Sequence, residues 1–295
     1  MNSDSKTTTE NPFTNFKARS LLLWGFLIPV ALGFALGLIS GFSRFNPTDP
    51  IFGLIIGSLT FVLLALWAIY RLRRLHINVK HLIGSLPNNY PWLPTVGIVI
   101  AILLFSLGSG QLFYSALSFA APELVTLLLE QKVFLSSSET VVPLLYNLLV
   151  IISFLVVAPV TEELLFRGIL LHRWTAKWGI APALFSSSLL FGILHANIIG
   201  LFVFGLMMAL LYLKTRTLIV PMVCHALNNL VAVGLGLIST GSSPTEPVNA
   251  LEQVRSNWWV GIVYVALSAP WLITFIYKNW PKPSLPLPYL SNAAQ

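Results

Sequence analysis

Long apolar stretches broken by short polar or basic connections set the frame of this chain. Runs with few or no charges fall near 20–42, 51–70, 93–120, 143–171, 180–197, 199–213, 217–238 and 257–278. A helix rising about 1.5 Å per residue needs roughly 20 such residues to cross a hydrocarbon layer about 30 Å thick. The pattern therefore predicts about eight spanning helices. Lipid offers the backbone no hydrogen-bond partner, and runs of this length are too long for barrel strands, so the fold class is all-α, a polytopic transmembrane helical bundle.

The connections alternate in charge. Lys17 and Arg19, then Arg71, Arg73, Arg74 and Lys80, then Arg173 and Lys177, then Lys214 and Arg216, then Lys278 and Lys282 fall in every second one. The others carry Asp49, Glu123, Glu130, Glu139, Glu246 and Glu252 with few bases. Basic loops stay in the cytoplasm, so both termini are expected there. The organisation that follows is a polar cytoplasmic tail over 1–19, a transmembrane domain over 20–278 and a proline-rich cytoplasmic tail over 279–295. Residues 239–247 read as a flexible outer loop, 281–288 as extended chain, and His172, Arg173 and Lys177 as exposed determinants of topology.

Composition agrees. Of 295 residues 56% are hydrophobic and only 9% charged, far from the roughly 25% charge of a soluble domain. The formal net charge of +7 does not indicate nucleic acid, because the bases sit in short clusters between apolar runs instead of on one face. The single cysteine, Cys224, leaves no intrachain disulfide. No cleavable targeting segment is expected in the polar stretch before the first run.

Against this background the sequence Pro159-Val160-Thr161-Glu162-Glu163-Leu164-Leu165-Phe166-Arg167 stands out. Two carboxylates and a guanidinium lie where a helix is still inside lipid, at roughly 2.5–3.5 kcal/mol for each charged group at mid-helix. Ionisable groups kept at that cost usually face a cavity and act there. Glu163 and Arg167 are i,i+4 neighbours and can pair, while Glu162 points about 100° away. Two further pairs have the same spacing: Phe191 with His195, and His225 with Asn229 on one helix face. If the three faces converge, one cavity holds a carboxylate, two imidazoles and a carboxamide, a set suited to hydrolysis.

Other intramembrane protease chemistries lack residues. Asp4 and Asp49 are the only aspartates and both lie outside the runs. Ser109, between two glycines, reads as helix packing. Cys224 diverges from its neighbour His225 around a helix.

Glu162-Glu163-x-x-x-Arg167, Phe191-x-x-x-His195 and His225-x-x-x-Asn229, in this order on separate apolar segments, resemble the motifs of the CPBP intramembrane protease family. That family comprises type II CAAX prenyl endopeptidases and bacterial bacteriocin-processing and self-immunity proteins. The resemblance covers about 142–238. It implies an endopeptidase in which Glu162 and His195 activate a water, His225 and Asn229 hold the developing oxyanion, and Glu163 and Arg167 shape the site; Phe191 itself reads as packing that shapes the cavity wall. The site is expected to open toward the cytoplasm and to act on a peptide or lipid-anchored protein at the membrane lipid. Metal-free chemistry with no cofactor is favoured. The alternative is Zn2+ held by Glu162, His195 and His225, against which no His-Glu-x-x-His helix is present. Two other functions use the same residues: a non-catalytic peptide- or partner-binding immunity or assembly protein, and a proton-coupled transporter, against which no internal repeat is found. Oligomeric state is left open.

Overall fold

The structure is a computed structural model that describes residues 11–42, 46, 48–130, 132–240 and 247–294. Asp4, Glu246 and residues 241–246 of the expected outer loop lie outside the described residues. The described residues form helices without strands. In order these are α1 (Arg19–Phe42), α2 (Pro50–Arg74), α3 (Val79–Ile83), α4 (Trp92–Ala120), α5 (Pro122–Leu129), α6 (Pro143–Trp178), α7 (Ile180–Ile193), α8 (Ile198–Thr215), α9 (Ile219–Thr240), α10 (Pro247–Ser256), α11 (Trp258–Asn279) and α12 (Pro288–Ala293).

Seven of them, α1, α2, α4, α6, α8, α9 and α11, are long and apolar enough to cross a membrane. The protein is an integral, multi-pass membrane protein, with one span fewer than the run count predicts. The difference is α7. Its 14 residues reach about 21 Å, short of the roughly 30 Å hydrocarbon layer. The apolar run continues to 197, but the helix stops at Ile193 and the chain reverses into α8.

Local chemistry explains that turn. A Cβ on Gly192 would lie 2.5 Å from the Ile198 carbonyl oxygen, so only glycine lets the two arms approach this closely. The Asn197 side chain accepts from the Gly200 N–H at 3.0 Å and donates to the Ser106 carbonyl at 2.7 Å. The Tyr114 hydroxyl donates to the Ala196 carbonyl at 3.3 Å. Ser106 is the middle residue of α4, so the turn is pinned at the centre of a spanning helix. Irregular backbone at such depth is tolerated where protein groups satisfy it.

Helix α8 is the axis of the bundle. Residues 204–213 are all buried, with α4, α6, α7, α9 and α11 against it. Apolar side chains on the outer faces, such as Phe26, Phe34, Trp271 and Ile273, stay exposed, as lipid-facing residues should.

Both tails are folded back where the sequence suggested loose chain. Phe13, Phe16, Leu287 and Tyr289 are buried, and α12 packs on α3. His172 is at the centre of this knot, not exposed at a helix end. Its Nδ1 donates to the Arg167 carbonyl at 3.2 Å, its Nε2 accepts from the Tyr289 N–H at 3.4 Å, and Phe13 stacks on its ring at 4.7 Å. The hydrophobic knot wins because Phe13 and Tyr289 supply apolar area that a lone imidazole at a helix end would lack.

At the opposite end Asp49 caps α2 through the Ile51 N–H and also accepts from the Thr140 hydroxyl at 2.8 Å and the Val141 N–H at 2.9 Å. This ties the entry of α6 to α2. The Val141 and Ile51 N–H groups hold the Asp49 carboxyl below its ordinary value.

Candidate active site

The helix that carries Glu162 and Glu163 is irregular on both sides of them. Within α6, π-helical turns at Ser153–Val157 and Leu164–Leu170 flank the α-helical Ala158–Glu163. Wide turns of this kind are rare and tend to occur at functional sites. One cause is visible in the sequence: Pro159 has no N–H to give to a carbonyl one turn back. The Ala158 N–H bonds the Ser153 carbonyl, which leaves the Phe154 carbonyl without its helical partner. Asn229 of α9 fills that gap, donating from Nδ2 at 2.9 Å.

Glu163 is fully buried and Arg167 is 2% exposed. Their side chains pair at 3.0 Å, Nη1 to Oε1, as the i,i+4 spacing predicts. Arg167 donates its Nη2 to the Gly205 carbonyl of α8 at 3.0 Å and lies over the Phe191 ring at 4.6 Å. The same Glu163 Oε1 accepts from His225 Nδ1 at 3.0 Å. A buried charge needs both a counter-charge and further hydrogen bonds, and Glu163 and Arg167 supply these for each other while fixing the His225 ring.

His195 is held differently. It lies in the turn after α7, not on a spanning helix, and its Nδ1 donates to the Phe191 carbonyl at 2.6 Å. Phe191 stacks on its ring at 4.5 Å, and Phe204, which the sequence reading missed, meets the His225 ring edge-on at 4.8 Å. A carbonyl only accepts, so His195 carries its proton on Nδ1. A carboxylate paired with Arg167 also accepts, so the same holds for neutral His225.

Both imidazoles therefore turn Nε2 inward. His195 Nε2 is 3.9 Å and His225 Nε2 4.0 Å from the same atom, Oε2 of Glu162. That oxygen is buried and has no hydrogen-bond partner among the described residues. A water about 2.8 Å from two atoms this far apart sees them at about 90°, a comfortable hydrogen-bonding angle. The His225 side chain is 5% exposed and that of His195 33% exposed, so the site opens on the His195 side.

The structure thus brings together Glu162, His195 and His225, backed by Glu163, Arg167 and Phe191. Asn229 stands one turn from His225 and is bonded to the Glu162 helix through Phe154. A tetrahedral zinc site, with bonds of about 2.0–2.2 Å, needs donor atoms about 3.3–3.6 Å apart. Glu162 Oε2 is 3.9 and 4.0 Å from the two Nε2 atoms, wider than that, and among the described residues no group of three or more His, Cys, Asp or Glu is gathered closely enough to hold a metal. The residues as placed do not fit that ion.

Comparison with known proteins converges on the same segment. Residues 144–231 match the family model described as type II CAAX prenyl endopeptidase, Rce1-like, so the resemblance read from the three motifs holds over the stretch that carries them all. Two curated relatives then define the likeness more closely. The human protein named "CAAX prenyl protease 2" is 32% identical over 97 residues, which is 25% of this chain and 30% of that protein. The Bacillus subtilis (strain 168) protein named "Putative membrane peptidase YdiL" is 35% identical over 109 residues, 36% of this chain and 41% of that one. The chain thus matches less than half the length of either relative. No solved structure matches.

Proposed function

We propose that this protein is an intramembrane endopeptidase of CAAX or peptide-maturation type, hydrolysing a peptide bond near the cytoplasmic leaflet with a water activated by Glu162 and His195. One observation carries the reading. Two imidazole Nε2 atoms on different elements converge on one otherwise unpartnered carboxylate oxygen, inside the Rce1-like segment.

A water in this position donates one hydrogen to Glu162 and the other to His195 Nε2, leaving a lone pair for the peptide carbonyl. Attack forms the C–O bond while the water proton passes to Glu162. Collapse of the tetrahedral intermediate breaks the C–N bond as Glu162 returns that proton to the leaving nitrogen, giving a carboxylic acid and an amine. The acid then passes its remaining proton, the one facing His195 Nε2, to the amine, so the products leave as carboxylate and ammonium. Asn229 has a second amide hydrogen besides the one on Phe154 and offers it to the oxyanion. His225 can donate to the oxyanion from Nε2 only as imidazolium, with the Glu163 carboxylate facing its other nitrogen. Donors of this kind contribute about 10²–10³ in rate each. The spacing of the donors supports a mechanism without a metal. The substrate class is a peptide segment presented at the membrane, alone or beside a lipid anchor.

The test is to reconstitute the full chain in liposomes with membrane-anchored peptides and read products by mass spectrometry, with His195→Ala in parallel. New termini with the native chain, lost in the variant, are expected. Identical peptide profiles for native chain, variant and empty liposomes would overturn the proposal in favour of a non-catalytic binding role.

A further inference from the structure

The second concave feature of interest lies away from the catalytic residues, where the chain enters α1 and leaves α6. A cavity of about 400 Å³ is lined by Lys17, Arg19, Arg173 and Lys177 together with Trp174 and Trp178. We propose that this cavity binds the phosphate head of an anionic membrane phospholipid.

Four cations meet here from parts of the chain more than 150 residues apart, and no acidic side chain lines the cavity. Among the described residues none of the four forms an ion pair. Ordinary topology determinants are dispersed in solvent along loops; these converge on one concavity, at the cost of mutual repulsion that an anion would relieve. Arg173 is oriented for the task. Its Nε donates to the Phe16 carbonyl at 2.7 Å, which restrains the guanidinium, while among the described residues neither Nη group has a hydrogen-bond or ion-pair partner, leaving both for the bidentate grip that arginine makes on phosphate.

The other lining residues favour a lipid over a soluble anion. Trp174 and Trp178 pack together at 5.6 Å and complete the wall, and tryptophan settles at the headgroup level of a membrane. On α1, Leu22 and Phe26 stand three and seven residues beyond Arg19, on the helix face that Arg19 occupies, and are 63% and 66% exposed, which gives acyl chains an apolar track below the head. Basic pockets at helix ends are the usual form of anionic headgroup sites.

The experiment uses the full chain in phosphatidylcholine nanodiscs doped with phosphatidic acid, with retained lipid counted by native mass spectrometry. The native chain is expected to retain phosphatidic acid over phosphatidylcholine, and excess inorganic phosphate is expected not to displace it. The variant Lys17→Gln/Lys177→Gln, which changes two exposed side chains with no hydrogen bond among the described residues, Lys177 lying over the Trp178 ring at 4.9 Å, is expected to lower that preference on the order of 30-fold, whereas Lys17→Arg/Lys177→Arg keeps it. Equal retention of both lipids by the native chain, an unchanged preference in the glutamine variant, or displacement by inorganic phosphate would each overturn the assignment.

Discussion

Glu163 is the residue on which most of the buried polar network depends, since one oxygen accepts from both Arg167 and His225. Removing its charge strands Arg167 in the interior. Glu163→Gln is expected to destabilise the protein by about 3–5 kcal/mol, read as a fall in thermal unfolding temperature in detergent. Glu163→Gln/Arg167→Met should recover most of that loss while leaving peptide cleavage low, because the neutral amide beside His225 no longer offsets the charge of its imidazolium. A double variant as unstable as the single one would show that the pair is not the source of the stability. The pair itself was legible in the sequence, because i,i+4 spacing on a helix is nearly deterministic. The link from Asn229 to Phe154 was not, because it arises from a carbonyl that Pro159 leaves free and a helix about 70 positions downstream supplies the amide. His172 was misjudged for a related reason: its neighbours in sequence are basic, while its neighbours in space are Phe13, Tyr212 and Tyr289.

At the scale of elements, α6 and the α7–α8 hairpin are bent from regular helices to carry the site. Pro159→Ala would return an N–H to α6 and let it compete with Asn229 for the helix's own carbonyls. Thermal stability is expected to hold or rise, while cleavage falls by up to about 10²-fold, the usual cost of a displacement near 1 Å. Unchanged cleavage would mean that the π turn does not set the position of Glu162. Gly192→Ala pushes a methyl against the Ile198 carbonyl and should separate the hairpin arms, costing about 1–3 kcal/mol by overpacking and moving His195. Loss of activity with preserved helix content by circular dichroism is the signature. Hydropathy marked both arms as apolar, yet it did not show that α7 ends short. His195 and Asn197 are the only polar residues near that point, and what decides the turn is the bond from Asn197 to Ser106 in another helix.

Across the whole molecule, one end is tied by the aromatic knot around His172 and the other by a polar clasp. In that clasp Glu139 accepts from Lys132 at 2.7 Å and from the Ser136 N–H at 2.9 Å. Lys132 first, then Ser136, holds its carboxyl down to about 2 from the ordinary 4.5. A depressed carboxyl stabilises the folded loop above the unfolded value, so this contribution is complete above pH 4.5 and is lost as pH falls from there to about 2. Hydrogen exchange at the Ser136 amide, corrected for its intrinsic pH dependence, should lose protection over that window. Constant protection would show that the clasp does not hold the loop. The bundle class, the membrane setting and the three motifs were all readable from apolar run length and residue spacing, because lipid leaves the backbone so few choices. How the runs pack was not readable, since apolar faces look alike in sequence.

The convergence of two imidazoles on Glu162 is the claim on which the functional account rests. Its most direct test is the single-turnover cleavage rate of Glu162→Gln against the native chain in the same liposomes, at matched insertion and thermal stability. Loss of the general base should slow cleavage by about 10²–10⁴-fold. A Glu162→Gln protein that cleaves at the native rate would contradict the account.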